Sequence, residues 1–165
     1  METIWAGWRA NFVTESSPNP DGECILCTIA KGTDDAGTYV ITRGESCYVV
    51  LNLYPYTSGH LMVVPTRHVA DFSLLTGEEL GELTLLERRA IEVLTEVYHP
   101  QGFNLGMNLG RAAGAGIAEH LHAHVVPRWA GDANFMATAA ITRVLPEALD
   151  RTRERVVAAW AGTSD

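Results

Sequence analysis

The sequence predicts an α+β domain, and three observations carry that prediction: paired β-branched runs, one long helix with a clear start signal, and a further helix near the C-terminus. The paired runs are residues 48–53 (YVVLNL) and 60–65 (HLMVVP), separated by Pro55, Thr57, Ser58 and Gly59, which reads as a β-hairpin. Thr76 and Glu79 make a T-x-x-E capping box. Behind it Leu80, Leu83, Ile91, Leu94 and Val97 recur at helical spacing up to about Tyr98. After Pro100 and Gly102, residues 103–108 and 120–127 read as two more strands, joined by the glycine- and alanine-rich loop 110–116. A last helix is expected over residues 145–160. Residues 11–23 carry Pro18, Pro20, Asn19, Gly22 and two serines, so the chain divides into an N-terminal arm, 1–23, and one domain, 24–165.

At 165 residues the chain is long enough for one domain to bury a core without disulfides. Its composition is 47% hydrophobic and 19% charged, with no apolar run near the ~18 residues of a membrane span, so no membrane partner is expected. The first residues mix Glu2 with Trp5 and Trp8 and lack a secretory pattern, which implies a cytoplasmic location. The formal net charge of −8 excludes a non-specific nucleic-acid binder, because such proteins need clustered Lys and Arg. Any phosphate-bearing ligand must therefore be held by local donors: backbone N–H groups, neutral imidazoles and a few arginines.

Three of the six histidines fall in one stretch, Glu119-His120-Leu121-His122-Ala123-His124-Val125-Val126-Pro127. On a strand, alternation places His120, His122 and His124 on one face and Leu121, Ala123 and Val125 on the other. Three adjacent imidazoles are a poor core choice, since each brings a donor and an acceptor to satisfy. By residue type alone the stripe is a metal-binding strand, an exposed strand or a reactive centre.

The His-x-His-x-His followed by two apolar residues resembles the signature of the histidine-triad (HIT) nucleotide-binding family. Asn52, then Gly59-His60 entering an apolar strand that ends in Pro65, with His68 beyond, is similar to the first half of such domains. Asn108-x-Gly110 resembles the Asn-x-Gly that precedes the triad. The resemblance covers about residues 24–129. It implies an antiparallel sheet of about five strands in a homodimer. It also implies His122 as the nucleophile on the α-phosphorus of a nucleotide, flanked by His120 and His124 as donors and supported by His60. Asn52 would bind the ribose, and Gly110, Gly114 and Gly116 would bring backbone N–H groups to phosphate.

Cys24-x-x-Cys27 reads as a metal site, as two reduced half-buried thiols, or, with least support, as a redox pair. In zinc-bearing members of the family such a pair is completed at the positions of His68 and His120, giving the Cys2His2 set of structural zinc. His120 then cannot also donate freely to phosphate. The motifs leave magnesium dependence open, and Cys47 reads as a small core residue.

Hydrolysis of dinucleoside polyphosphates, their phosphorolysis and phosphoramidate hydrolysis share the covalent step. Hydrolases of the family usually carry Gln or Ser just before the triad, whereas this chain has Ala115-Gly116-Ile117-Ala118. Gly110-Arg-Ala-Ala-Gly-x-Gly and Val126-Pro127-Arg128-Trp129 look like the diadenosine tetraphosphate phosphorylases of actinobacteria. That resemblance implies inorganic phosphate as acceptor, with Asn108 and Trp129 on the substrate side and Arg128 near distal phosphates. The alternatives are a hydrolase or phosphoramidase of the same family, and, from another class, a nucleotide-binding regulatory protein with slow turnover.

Overall fold

The computed structural model describes residues 23–132 and 147–162, so the arm with Trp5, Trp8 and Phe12 lies outside it. The hairpin forms as expected. Strand β2, Cys47–Leu51, pairs antiparallel with β3, Leu61–Pro65, in a register that sets Leu51 opposite Leu61. Three further strands complete an antiparallel sheet: β1 at Val40–Arg43, β4 at Gly102–Met107 and β5 at Ala123–Arg128. The spatial order is β1-β2-β3-β5-β4, which makes β1 and β4 the edges.

The sheet separates two environments. Cys47, Val49, Leu51, Leu61, Val63, Ala123 and Val125 face one way and are buried with Leu83, Ala90, Val93 and Leu94 of helix α2, Gly77–Tyr98. Helix α3, Leu149–Gly162, adds Val156 to the same core. On the opposite face Tyr48, Val50 and Val64 pack against Leu26 of the short helix α1, Ile25–Lys31. That helix covers only the β1–β3 side. On the rest of this face β5 carries His124, Val126 and Arg128, and these line a cleft among the described residues.

Helix α2 starts where its box predicts. The Thr76 side chain accepts from the Glu79 N–H at 3.1 Å, and the Glu79 carboxylate accepts from the Thr76 N–H at 2.8 Å. Glu79 also takes a two-pronged grip from Arg67, both bonds at 2.8 Å, which ties the segment after β3 to the helix start. At the other end, Glu147 accepts from Tyr98, Thr152 and Arg155, fixing α3 to the last turn of α2. Of the helix expected over 145–160, residues 145 and 146 lie outside the described residues, and the helix itself begins at Leu149.

The Arg67 hydrogen bonds hold the Glu79 carboxyl down at about 2, against about 4.3 in an unfolded chain. A depressed folded pKa stabilises above the unfolded value and loses that stabilisation as pH falls toward the folded one. Urea midpoints of the wild type should therefore drop between about pH 5 and pH 2 more than those of Glu79→Gln. Parallel curves for the two proteins would contradict this role.

Candidate active site

Gly59 precedes His60 with φ at +78°, and a Cβ there would meet Leu94 Cδ2 at 2.9 Å. Only glycine lets the β2–β3 loop press this closely on α2, and the turn delivers His60 into the interior with no exposed surface. The Tyr56 N–H donates to His60 Nδ1 at 3.0 Å, so Nδ1 is an acceptor and the proton sits on Nε2. His60 Nε2 then donates to His124 Nδ1 at 2.9 Å. By the same logic His124 carries its proton on Nε2, and that buried atom has no hydrogen-bond partner among the described residues. A chain of tautomers thus ends in one uncompensated donor.

His122 points the opposite kind of atom outward. Its Nδ1 lies 2.9 Å from the His120 carbonyl, and only a protonated nitrogen can donate there, so Nε2 keeps its lone pair. The two rings stand edge to face at 5.1 Å. Burial lowers the pKa of His122, and burial with the neighbouring His122 brings His124 down to about 4. Both imidazoles are neutral at neutral pH. The His122 ring, with a lone pair on Nε2, stands next to the His124 ring, whose Nε2 donor has no partner among the described residues.

His120 takes no part in that pair, which corrects the expectation that it donates to phosphate. Strand β5 begins at Ala123, three residues later than the alternation pattern predicts, so the one-face rule does not reach His120. Its Nε2 donates to the Pro65 carbonyl at 2.8 Å, and its Nδ1 lies 3.3 Å from Cys24 Sγ and 3.5 Å from Cys27 Sγ. Both ring nitrogens are committed. Cys27 Sγ is also 3.2 Å from His68 Nδ1, and the four ligand atoms of Cys24, Cys27, His68 and His120 lie within 4.8 Å of one another. Tetrahedral zinc with ordinary bond lengths requires S···N edges of about 3.5 Å. The donor set, its spacing and a His120 tautomer already set by Pro65 all fit that ion. The thiols converge because Cys24 caps α1 and Cys27 lies one turn on.

The remaining predicted residues are dispersed around this centre. Asn52 lies beside His60, with Nδ2 3.4 Å from its Nδ1, while its Oδ1 accepts from the Tyr54 N–H. Asn108 and Arg128 line a cleft of ≈ 330 Å³ with His124. Trp129 does not line it, and its backbone N–H donates to Asp132. Gly110 and Gly114 adopt φ of +79° and +86° around a 3₁₀ turn, Arg111–Ala113. The N–H groups of Ala113, Gly114 and Ala115 donate back to carbonyls of that turn, so they are not available as the phosphate cradle expected of the loop. Gly116 remains beside it, without such a bond among the turn's own. Tyr56, Asn104 and Gly106 line this cleft and Asp132 holds Arg128 beside it; none of the four belongs to a motif, so the sequence does not point to them.

Residues 34–131 match the HIT domain, and the chain belongs to this family. Across 167 aligned residues it is 42% identical to AP-4-A phosphorylase of Mycobacterium tuberculosis, covering 98% of this chain and 85% of that protein. Among solved structures, a zinc-bound histidine-triad family protein from Mycobacterium smegmatis superposes with a TM-score of 0.69 at 29% identity, covering 85% of this chain and 94% of its own. The diadenosine triphosphate hydrolase of Plasmodium falciparum shares the fold, with a TM-score of 0.59 at 18% identity over 76% of each chain.

Proposed function

We propose that this protein is an enzyme that cleaves diadenosine tetraphosphate by phosphorolysis through a nucleotidyl-histidine. The observation that carries the reading is the tautomer arrangement: a lone pair on His122 Nε2 beside a donor, His124 Nε2, that has no partner among the described residues. His122 Nε2 attacks the α-phosphorus, a P–N bond forms, and the bond to the β-phosphate oxygen breaks to release ATP. His124 Nε2–H donates to the oxygen on which charge builds, and His60 holds that donor in place. Inorganic phosphate then attacks the adenylyl-histidine, releasing ADP and returning the imidazole. Full-length similarity to AP-4-A phosphorylase and the absence of a Gln or Ser side chain at Ala115-Gly116-Ile117-Ala118 favour phosphate over water as acceptor.

Asn52 serves the ribose in this reading, and Asn108 and Gly116 serve the phosphates. Cys24, Cys27, His68 and His120 hold a structural zinc ion, which supplies cross-linking and no chemistry to the phosphate. A homodimer in the cytoplasm completes the proposal; the outer edge of β4, with Leu105 half exposed, lacks a strand partner among the described residues. Product analysis with diadenosine tetraphosphate tests the activity. ADP and ATP that appear only when phosphate is added are the expected products. AMP and ATP formed regardless of phosphate would make the protein a hydrolase, and no nucleotide product would refute the covalent reading for this substrate.

A further inference from the structure

We propose that Thr57 is a positioning residue for the reaction: it ties the β2–β3 loop to strand β5 and so holds the backbone N–H that decides which nitrogen of His60, and through it of His124, carries a proton. The inference deepens the reading above at the same site, and its tautomer part stands without any substrate. The β3–β5 ladder is short, running from Val63 opposite Ala123 to Leu61 opposite Val125. Before Leu61 the chain leaves the sheet through Gly59, whose φ is +78°. Strand β5 continues to Arg128, paired on its other side with β4. The Arg128 carbonyl takes the Gln101 N–H at 2.8 Å from the β4 side, so by alternation the Pro127 carbonyl points the other way, to where β3 has ended. The Thr57 hydroxyl fills that place, donating to the Pro127 carbonyl at 2.9 Å.

Thr57 is also joined to the histidines. Its carbonyl accepts from the His60 N–H at 3.3 Å, and the residue before it supplies the Tyr56 N–H to His60 Nδ1 at 3.0 Å. With one proton each, His60 and His124 have two ways to share the 2.9 Å bond between their rings. In the first, His60 Nε2 donates to His124 Nδ1, which leaves a donor at His124 Nε2. In the second, each proton sits on the opposite nitrogen: His60 is protonated at Nδ1, His124 donates back from Nδ1, and His124 Nε2 presents a lone pair that repels a phosphate oxygen. Both patterns hold the same number of protons. What separates them is the Tyr56 N–H, a fixed donor that excludes a proton from His60 Nδ1. That N–H belongs to the backbone, so its aim depends on where the loop lies. The Thr57 tether, one residue away, is the part of this device that a substitution can remove.

Thr57→Val keeps the shape of the side chain and deletes the hydroxyl, whereas Thr57→Ser keeps the hydroxyl. Nitrogen NMR of protein labelled at its histidines, recorded without substrate, should show His60 and His124 protonated at Nε2 in the wild type and in Thr57→Ser. In Thr57→Val a population protonated at Nδ1 should appear at both residues. Its kcat for diadenosine tetraphosphate should fall by at least about threefold with KM little changed, tracking the share of molecules that keeps the His124 Nε2 donor, and Thr57→Ser should restore it. A wild type with His124 protonated at Nδ1 would overturn the assignment before any variant is made. So would Thr57→Val with wild-type tautomers, a shifted tautomer balance that leaves kcat untouched, or a Thr57→Ser that behaves like Thr57→Val. If the wild type forms no nucleotide product while the tautomers respond to Thr57, the phosphorolysis reading fails and the control of the two rings by Thr57 stands.

Discussion

Replacing His122 with alanine is expected to lower turnover of diadenosine tetraphosphate by at least about 10³-fold, with nucleotide binding retained. The ring is a reactant in the proposed mechanism, and no neighbour can substitute for it. His124 offers a proton where a lone pair is required, and both nitrogens of His120 are engaged with Pro65 and the thiols. The variant also loses the hydrogen bond to the His120 carbonyl, which is worth about 1 kcal/mol, or a few degrees in Tm. His122→Asn separates the two effects, because an amide N–H can still reach that carbonyl. It should be as inactive as the alanine variant but closer to wild type in thermal melting. Mass spectrometry after brief exposure to substrate should find adenylyl-histidine on the wild type alone. A near-normal rate in either variant would end the assignment of His122 as nucleophile.

The second large effect is expected at the metal cluster. Cys27→Ala should reduce bound zinc from about one ion per chain to near none and lower Tm by roughly 5–10 °C. Cys27 approaches both His68 and His120, so its loss opens two sides of the tetrahedron at once. The consequence reaches the reaction centre by a short route, since the residue that offers Nδ1 to the metal also offers its carbonyl to His122 Nδ1. Turnover should fall with KM little changed, as befits a loss of orientation and not of substrate contacts. Elemental analysis, thermal melting and kinetics on the same preparation test the three parts. A wild-type preparation free of metal that melts and turns over like the loaded protein would dismiss the zinc site.

Features whose signals are local are legible in the amino-acid sequence. The β2–β3 hairpin follows from β-branched runs around a Pro- and Gly-bearing turn, and the start of α2 follows from Thr76 and Glu79, three residues apart. The spacing of His122 and His124 brings their rings together at 5.1 Å, although β5 itself begins only at Ala123. Helix α1 is not legible in this way because its seven residues are too few to display a period, although Gly32 marks its end with N–H bonds to Thr28 and Ile29. Strand β1 is four residues long and lies at an edge, again too short for a pattern.

The sequence by itself determined the α+β class and the HIT motifs in their order, and the resemblance those motifs carry implied the candidate nucleophile and the four candidate metal ligands. Only the tertiary structure decided how those side chains divide their work. Whether a histidine offers a proton or a lone pair depends on what its other nitrogen touches, and the partners lie far off in the chain: His60 for His124, Pro65 and Cys24 for His120. Arg128 reads as a phosphate ligand from its charge, and in the folded chain its guanidinium donates to Asp132 of the turn after β5 and to Asn104 of β4. Residue type sets what chemistry is possible at a position. The contacts made across the sheet select which of those possibilities the folded chain retains.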